Sequence, residues 1–175
     1  GELYTWIKKV LKTSKLKGEL IFIDDGSTDD SWKEISKLAA TDDHVQGLRF
    51  TRNYGKSAAL HAGFQICTGD VVITMDADLQ DSPDEIPKLH RMIMEEGHHM
   101  VSGWKKVRHD PFEKRIPSKF FNWVTRLFSG IKLHDFNCGL KAYQNRVVKG
   151  IHLYGERHRY IPLVVKWNGY KKITE

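Results

Sequence analysis

The sequence predicts an α/β domain in which a mostly parallel β-sheet is flanked by helices. Short, continuously apolar runs bounded by turn residues are typical of strands buried in a parallel sheet. Segments with helical spacing of apolar residues separate these runs. Clusters of aspartates directly follow two of the runs, and ligands of such sheets bind beyond the carboxyl ends of the strands. No repeat or linker interrupts the pattern, so we expect a single domain over residues 1–175.

The strands and helices can be placed in order along the chain. The apolar runs predicted to be strands cover residues 20–23, 45–50, 71–75 and 100–102. Apolar residues at helical spacing predict helices near residues 3–11, 32–38, 58–67, 86–93 and 120–128.

Capping signals mark the starts of two of these helices. Ser27 and Asp30 form a capping-box pattern ahead of the second helix. Ser82, followed by Pro83 and by Glu85, is typical of the start of the fourth helix, and Gly97 marks its end.

The composition and net charge limit the classes of protein to which the chain could belong. No stretch approaches the roughly 20 apolar residues of a membrane-spanning helix, and the amphipathic, Lys-rich start lacks a signal-peptide cleavage site. A net charge of +6 suits an anionic partner, such as a phosphate-bearing substrate, an acidic membrane face or nucleic acid, but also a merely basic surface. Cys67 and Cys138 are too few for a disulfide scaffold and fit a reducing compartment.

Asp76-Ala77-Asp78 is the strongest candidate for a metal site. The two carboxylates follow an apolar strand and precede a capped helix. Hard cations such as Mg²⁺ or Mn²⁺ take a few carboxylate oxygens and leave the other positions to water and phosphate oxygens. An isolated Asp-x-Asp motif is usually a solvated acidic turn. The longer pattern through Gln80 and Asp81 favours a site for a divalent cation that bridges a diphosphate.

Two further segments at strand ends could contact a ligand. Asp24 and Asp25 could accept hydrogen bonds from a base or from ribose hydroxyls, while Gly26 and Ser27 are turn and cap residues. Lys56 follows a glycine at the start of a helix, which suits anion binding, although no P-loop pattern is present.

The segment 134–139 brings a carboxylate beside an imidazole, an amide and a thiol. Asp135 is a candidate for a general base or for a residue that orients the acceptor. Cys138 is interpreted as a packing residue. The basic segment 105–119 could clamp phosphates, rest on anionic lipid or simply be solvated. Residues 157–159 form a second basic cluster before an apolar stretch.

Four motifs in order along the chain resemble family 2 glycosyltransferases: DDGSTD at 24–29, RNYGK at 52–56, DADLQD at 76–81 and HDFNCGLKAY at 134–143. With PFEKRIPSKFFN at 111–122, they resemble most the dolichyl- and polyprenyl-phosphate glycosyltransferases. The similarity covers nearly the whole chain. It implies a GT-A fold and an inverting transfer of one sugar from a nucleotide-sugar, with UDP-sugars favoured, to a polyprenyl phosphate.

The resemblance also implies roles for individual residues. Asp24 and Asp25 would lie at the nucleotide base, and Lys56 near the nucleotide. Asp76 and Asp78 would hold Mg²⁺ or Mn²⁺ with help from Gln80, and Asp78 would be the principal ligand. Arg115 and Ser118 would bind donor or acceptor phosphate, and Asp135 would be the base candidate. A phosphate acceptor is already ionised at neutral pH, its second pKa being about 6, so Asp135 is expected to position it rather than deprotonate it.

The chain departs from the family pattern at both ends. It begins after the family's usual first strand, so a central strand is expected to be missing from it. The branch commonly continues into transmembrane helices, and the expected location of the full-length protein is the cytoplasmic face of a membrane, where oligomers could form.

Other functions remain as alternatives. A saccharide acceptor in cell-envelope polysaccharide synthesis would keep the same enzyme class. A nucleotide-sugar nucleotidyltransferase shares the broad fold but would want a Gly-rich phosphate loop. Binding of nucleic acid is not expected, because acidic strand ends repel a phosphate backbone. The intact Asp76-Ala77-Asp78 argues against a non-catalytic binder.

Overall fold

A computed structural model of the chain describes residues 1–104, 125 and 130–175. Within these ranges the strands are β1 (Leu20–Asp24), β2 (Val45–Arg49), β3 (Val71–Thr74), β4 (Met100–Ser102), β5 (Lys141–Gln144) and β6 (Ile173–Thr174). The α-helices are α1 (Glu2–Ser14), α2 (Ser31–Thr41), α3 (Lys56–Ile66), α4 (Ile86–Met94), α5 (Asn145–Gly150) and α6 (Ile161–Trp167). Short 3₁₀ turns cover Pro83–Glu85 and Arg157–Tyr160.

The described strands form two sheets. β1 pairs with β2 in parallel. The second sheet has the order β3-β5-β4-β6, in which β5 is antiparallel to β3 and β4, and β6 is parallel to β4. Three of its four strands therefore run in one direction. The predicted α/β architecture is confirmed.

Helices cover both faces of the larger sheet, because successive side chains of a strand point to opposite faces. Tyr143 of β5 is fully buried in a cluster that contains residues of α3, α5 and α6. Its neighbour Ala142 is buried in a second cluster with Leu89 and Ile93 of α4. The core thus lies on either side of β5.

Helix α3 packs against strands of both sheets. Phe64, which is 2% exposed, meets the ring of Tyr143 edge-on with the ring centroids 5.5 Å apart. One residue earlier, Gly63 lies beside Ile23 of β1, and a Cβ at this glycine would be at ordinary van der Waals distance, 3.7 Å, from that side chain. Strands β1 and β5, which belong to different sheets, therefore pack against the same helix.

The predicted capping box of α2 is wrong. The helix begins at Ser31, after an N-cap Asp30 whose side chain makes no capping bond. The amide of Ser27 instead donates to Oδ1 of Asp24 at 2.8 Å, and this bond holds a turn at the end of β1. Ser82 does cap its helix by accepting from the amide of Asp84, although the first turn there is 3₁₀.

The sequence did not predict β5. Its first residue is a lysine, and it follows a Gly-containing segment, so it lacks the continuous apolar character of the other strands. The helix predicted over 120–128 lies outside the described residues, except for Thr125, which is helical and buried. Among the helices that are described, none has the length and apolar character needed to cross a membrane.

Replacing Phe64 with alanine should lower the free energy of unfolding by about 3–5 kcal/mol, because a large buried ring leaves a cavity between the sheets. The matched change is Ile66→Ala on the same helix, where the side chain is exposed and the expected loss is about 0.5 kcal/mol. Urea denaturation of both variants would measure the difference. Equal losses would contradict the placement of α3 between the sheets.

Candidate active site

The candidate site lies where the chain leaves β1, β2 and β3. A pocket at this edge is lined by apolar side chains and by the polar side chains of Lys56, Asp76, Asn137, Lys141 and His158. These residues come from α3, the end of β3, the 134–140 loop, β5 and the second 3₁₀ turn. The structure thus brings together segments that are up to about a hundred positions apart in the sequence.

Asp24 and Asp25 have different environments. The side chain of Asp24 is inaccessible to solvent, and its second oxygen faces Nε of Arg49 at 3.4 Å without making a hydrogen bond. Asp25 is partly exposed, and its two oxygens accept from the amides of Tyr54 at 2.7 Å and Gly55 at 2.9 Å. Because a carboxylate has about four acceptor positions, Asp25 retains capacity for a ligand, whereas Asp24 serves the turn.

Gly26 lets the turn after β1 lie directly on the loop after β2. Its φ is +76°, and a Cβ at this position would lie 2.4 Å from the carbonyl carbon of Arg52. Glycine is required here because the backbone is left-handed and because there is no room for a Cβ. The two loops therefore contact each other through their backbones.

Lys56 and Asp76 form an ion pair across the site. The ammonium at the start of α3 lies 2.6 and 2.8 Å from the two carboxylate oxygens that follow β3. The predicted nucleotide-binding lysine and the predicted metal-binding aspartate are thus adjacent. Both oxygens of Asp76 thus hold one positive charge, the ammonium of Lys56.

Asp78 and Gln80 follow on the exposed part of the same loop. Oδ1 of Asp78 accepts from the amide of Gln80 at 3.0 Å. Between them Leu79 has a left-handed backbone with φ +62°, a conformation that costs a non-glycine residue about 1–2 kcal/mol. The loop is therefore held in a strained conformation that keeps both side chains in solvent.

These residues fit a hard divalent cation. Asp76 lies against Gly139, where a Cβ would come within 2.5 Å of a carboxylate oxygen, so the space around that carboxylate depends on the glycine. Within the described ranges no cluster of three or more His, Cys, Asp or Glu residues could hold a metal. Two carboxylates are the donor type that Mg²⁺ or Mn²⁺ takes alongside water and phosphate oxygens. Both oxygens of Asp76 accept from Lys56 in this structure, so a metal would have to displace that ammonium.

Asp135 and Cys138 are both buried. Asp135 is 2% exposed, and its Oδ1 accepts from the amide of Asn137 at 3.0 Å. These contacts are those of a residue that shapes a loop, and its role as a base stays a prediction. Burial raises the pKa of the Cys138 thiol, which is the environment of a packing residue.

Lys141 and His158 reach the pocket without having been assigned a role from the sequence. Burial lowers the pKa of Lys141 to about 8, against the opposing influence of Cys138, Asp135 and Asp76. Burial also lowers the pKa of His158, whose Nδ1 lies 3.0 Å from the hydroxyl of the buried Ser57. The one available signal for Lys141 was a lysine inside the apolar stretch 140–143.

Arg115 and Ser118 lie outside the described residues, as does the whole of the segment 105–119. Their predicted contacts with phosphate stay predictions.

Comparison with known proteins identifies the family. The model for glycosyl transferase family 2 matches residues 2–151. The chain belongs to this family. It is 41% identical over 157 residues to an undecaprenyl-phosphate 4-deoxy-4-formamido-L-arabinose transferase of Shewanella sediminis, a match that covers 89% of the chain and 46% of the relative. It is 37% identical over 164 residues to a dodecaprenyl-phosphate galacturonate synthase of Rhizobium johnstonii, covering 93% and 48%.

Solved structures confirm the GT-A fold of this family 2 chain. The chain superposes with a TM-score of 0.66 on glucosyl-3-phosphoglycerate synthase from Mycobacterium tuberculosis in complex with Mn²⁺, UDP-glucose and phosphoglyceric acid, at 22% identity, covering 97% of the chain and 63% of that structure. For a mannosyltransferase from Pyrobaculum calidifontis with GDP-Man and Mn²⁺ the TM-score is 0.63 at 21% identity, covering 98% and 51%. The chain spans about half the length of the curated relatives it matches.

Gly26→Ala and Gly155→Ala form a matched pair that tests the contact between the two loops. Both glycines have positive φ, but nothing lies within 4 Å of a Cβ on Gly155. Gly155→Ala should cost about 1 kcal/mol of unfolding free energy, and Gly26→Ala about 2–4 kcal/mol, because only the latter adds a steric clash. Chemical denaturation would measure both, and equal costs would contradict the backbone contact.

Proposed function

We propose that this family 2 protein transfers a single sugar from a nucleotide-sugar, with UDP-sugars favoured, to a polyprenyl phosphate. The observation that carries the proposal is the pairing of Lys56 with Asp76 beside the turn of Asp25. This arrangement places an ammonium group, a carboxylate that could hold a metal and a polar turn within one site. The two relatives named above are both described as acting on polyprenyl phosphates, and their sugars differ, one being a uronic acid.

Binding of the donor would use the ends of β1 and β3. Asp25 would accept from the base or ribose, and Asp76, Asp78 and Gln80 would hold Mg²⁺ or Mn²⁺. The cation, when bound, stabilises negative charge on the departing nucleoside diphosphate. The Mn²⁺ complexes of the GT-A structures support a metal, and because one holds UDP-glucose and the other GDP-Man, they support a nucleotide-sugar without fixing the base.

Lys56 would change partner when the metal binds. In the structure its ammonium lies on the oxygens of Asp76 that a divalent cation would take. Displacement would release Lys56, which is 42% exposed in its side chain, toward the diphosphate. The ion pair between Lys56 and Asp76 would then be replaced by two contacts with the donor, one from Lys56 and one from the metal held by Asp76.

The transfer itself is a single displacement. An oxygen of the acceptor phosphate attacks the anomeric carbon, a new C–O bond forms on the face opposite the leaving group, and the electron pair of the old C–O bond leaves with the nucleoside diphosphate. Because the phosphate is already ionised at neutral pH, no proton must be removed. This balance suits the buried Asp135 as a positioning residue rather than a base.

The acceptor would reach the site from a membrane surface. Arg115 and Ser118 are the proposed phosphate contacts, and the cytoplasmic face of the membrane is the proposed location. A saccharide acceptor stays the alternative, and acceptor assays that compare a polyprenyl phosphate with oligosaccharides would separate the two.

Asp78→Ala should abolish metal-dependent nucleotide binding, because the loop would lose the proposed principal carboxylate ligand of the metal. Calorimetric titration of UDP and of GDP, each with and without Mn²⁺, would measure this. The control is Asp43→Ala, which removes an exposed carboxylate between α2 and β2. Binding of neither nucleotide by the wild-type protein would overturn the proposed function, while binding of GDP alone would move the donor from UDP-sugars to GDP-sugars.

Lys56→Met should raise the affinity for Mn²⁺ in the absence of nucleotide by about two- to fivefold, since an exposed ion pair contributes about 0.2–1 kcal/mol. The same variant should bind UDP and Mn²⁺ together more weakly than wild type. Lys37→Met, which breaks the exposed pair with Glu34, is the control and should change neither affinity. An unchanged or lower Mn²⁺ affinity in Lys56→Met would contradict the exchange of partners.

A further inference from the structure

Lys141 is a buried charge at the floor of the pocket. It begins β5, the strand that pairs with both β3 and β4, and it is only 3% exposed. Its ammonium donates to the carbonyl of Cys138, in the loop that precedes β5. An ammonium has three donors, and no carboxylate pairs with it in an ion pair among the described residues. A buried charge without such a partner is costly, and an apolar side chain of the same length would avoid that cost.

The side chains that line the pocket include two ammonium groups, those of Lys56 and Lys141, but one carboxylate, that of Asp76. Lys56 of α3 and His158 of the second 3₁₀ turn line the same pocket, and the carboxylate that lines it, Asp76, is engaged by Lys56. Asp135 in the preceding loop acts on the charge of Lys141 from a buried position. The lowered pKa of about 8 still leaves Lys141 mostly protonated at neutral pH. The pocket floor is therefore suited to a negatively charged group.

His158 is held so that its ring lines the pocket. Its Nδ1 and its backbone amide both contact the hydroxyl of Ser57, at 3.0 and 2.9 Å. Since Ser57 is the second residue of α3, this contact fixes the 3₁₀ turn beside Lys56. Lys141 and His158 can both donate to an anion. They are placed on the pocket wall by β5 and by the second 3₁₀ turn, and not by the loop that carries Asp76 and Asp78.

We propose that Lys141 and His158 form an anion-binding subsite that receives a negatively charged group of the sugar donor. The group is either the diphosphate or a carboxylate on the transferred sugar, and both offer the same anionic oxygens. The inference rests on the proposed function, because it assumes a nucleotide-sugar in this pocket. It assigns to β5 a direct part in donor recognition.

Two affinity ratios distinguish the sources of the anion. Both are measured in the presence of Mn²⁺. The affinity for UDP divided by that for UMP measures how much the second phosphate contributes to binding. The affinity for UDP-galacturonate divided by that for UDP-galactose measures how much the sugar carboxylate contributes. Lys141→Met keeps the length of the side chain and removes its charge. We expect it to lower one of the two ratios by about tenfold or more, because a buried partner of a charged group is lost.

The matched control is Lys149→Met. Lys149 is exposed and donates to the carbonyls of Phe64 and Gln65, which do not line the pocket. Its replacement therefore removes the same charge from the molecule without changing the pocket. It should leave both ratios unchanged. Circular dichroism and thermal melting would verify that each variant is folded.

His158→Gln gives a second test should Lys141→Met fail to fold, since glutamine can still bond to Ser57. It should lower the same ratio by a smaller factor. A lowered UDP/UMP ratio assigns the subsite to the diphosphate, and a lowered galacturonate/galactose ratio assigns it to the sugar carboxylate. Wild-type ratios in every folded variant would overturn the inference while leaving the proposed function standing. Failure of the wild-type protein to bind any nucleotide would instead overturn the proposed function itself.

Discussion

The hydrogen bonds that the carboxylate of Asp25 accepts from the amides of Tyr54 and Gly55 determine where the rest of the site lies. They join the end of β1 to the residues that precede α3, and so they set the position of the helix start. That start carries Lys56, which contacts Asp76, and Ser57, which contacts His158. A single carboxylate at a strand end thereby orients groups from two distant segments of the chain. The same carboxylate retains acceptor capacity, so the proposed nucleotide contact and the architecture would share one residue.

The charges of the site are arranged in layers. Exposed carboxylates on the loop after β3 lie toward solvent, where a hydrated cation could approach without crossing apolar surface. The ammonium of Lys56 lies on the carboxylate of Asp76, and the buried ammonium of Lys141 lies deeper, on β5. A diphosphate between a metal and these ammonium groups would face positive charge on both sides. Such preorganised charge is the usual means by which a protein stabilises a departing phosphate without chemistry of its own.

Much of this arrangement could be predicted from the sequence, because β1–β4 are apolar runs followed by polar turns, and such patterns are local. The adjacency of Asp25, Lys56 and Asp76 followed from the rule that parallel strands end at one edge. The start of α2 was misplaced because the carboxylate of Asp24 accepts the amide of Ser27, for which the side chain of Asp30 was the predicted acceptor. Both acceptors are three residues from Ser27, so the sequence alone could not decide between them. β5 and Lys141 were missed since a central strand that begins with a buried lysine violates the pattern by which strands are recognised.

Features that cost stability gather at this edge of the fold. Leu79 has a left-handed backbone, Lys141 carries a buried charge, and the second oxygen of Asp24 is buried without a hydrogen bond. A sequence selected only for stability would place glycine, an apolar residue and an amide or hydroxyl at these three positions. Strain of this kind persists only where the surrounding structure holds it and is commonest at functional sites. The interior around Tyr143 and Phe64, by contrast, is ordinary apolar packing, and it supplies the rigid support on which the costly groups are held.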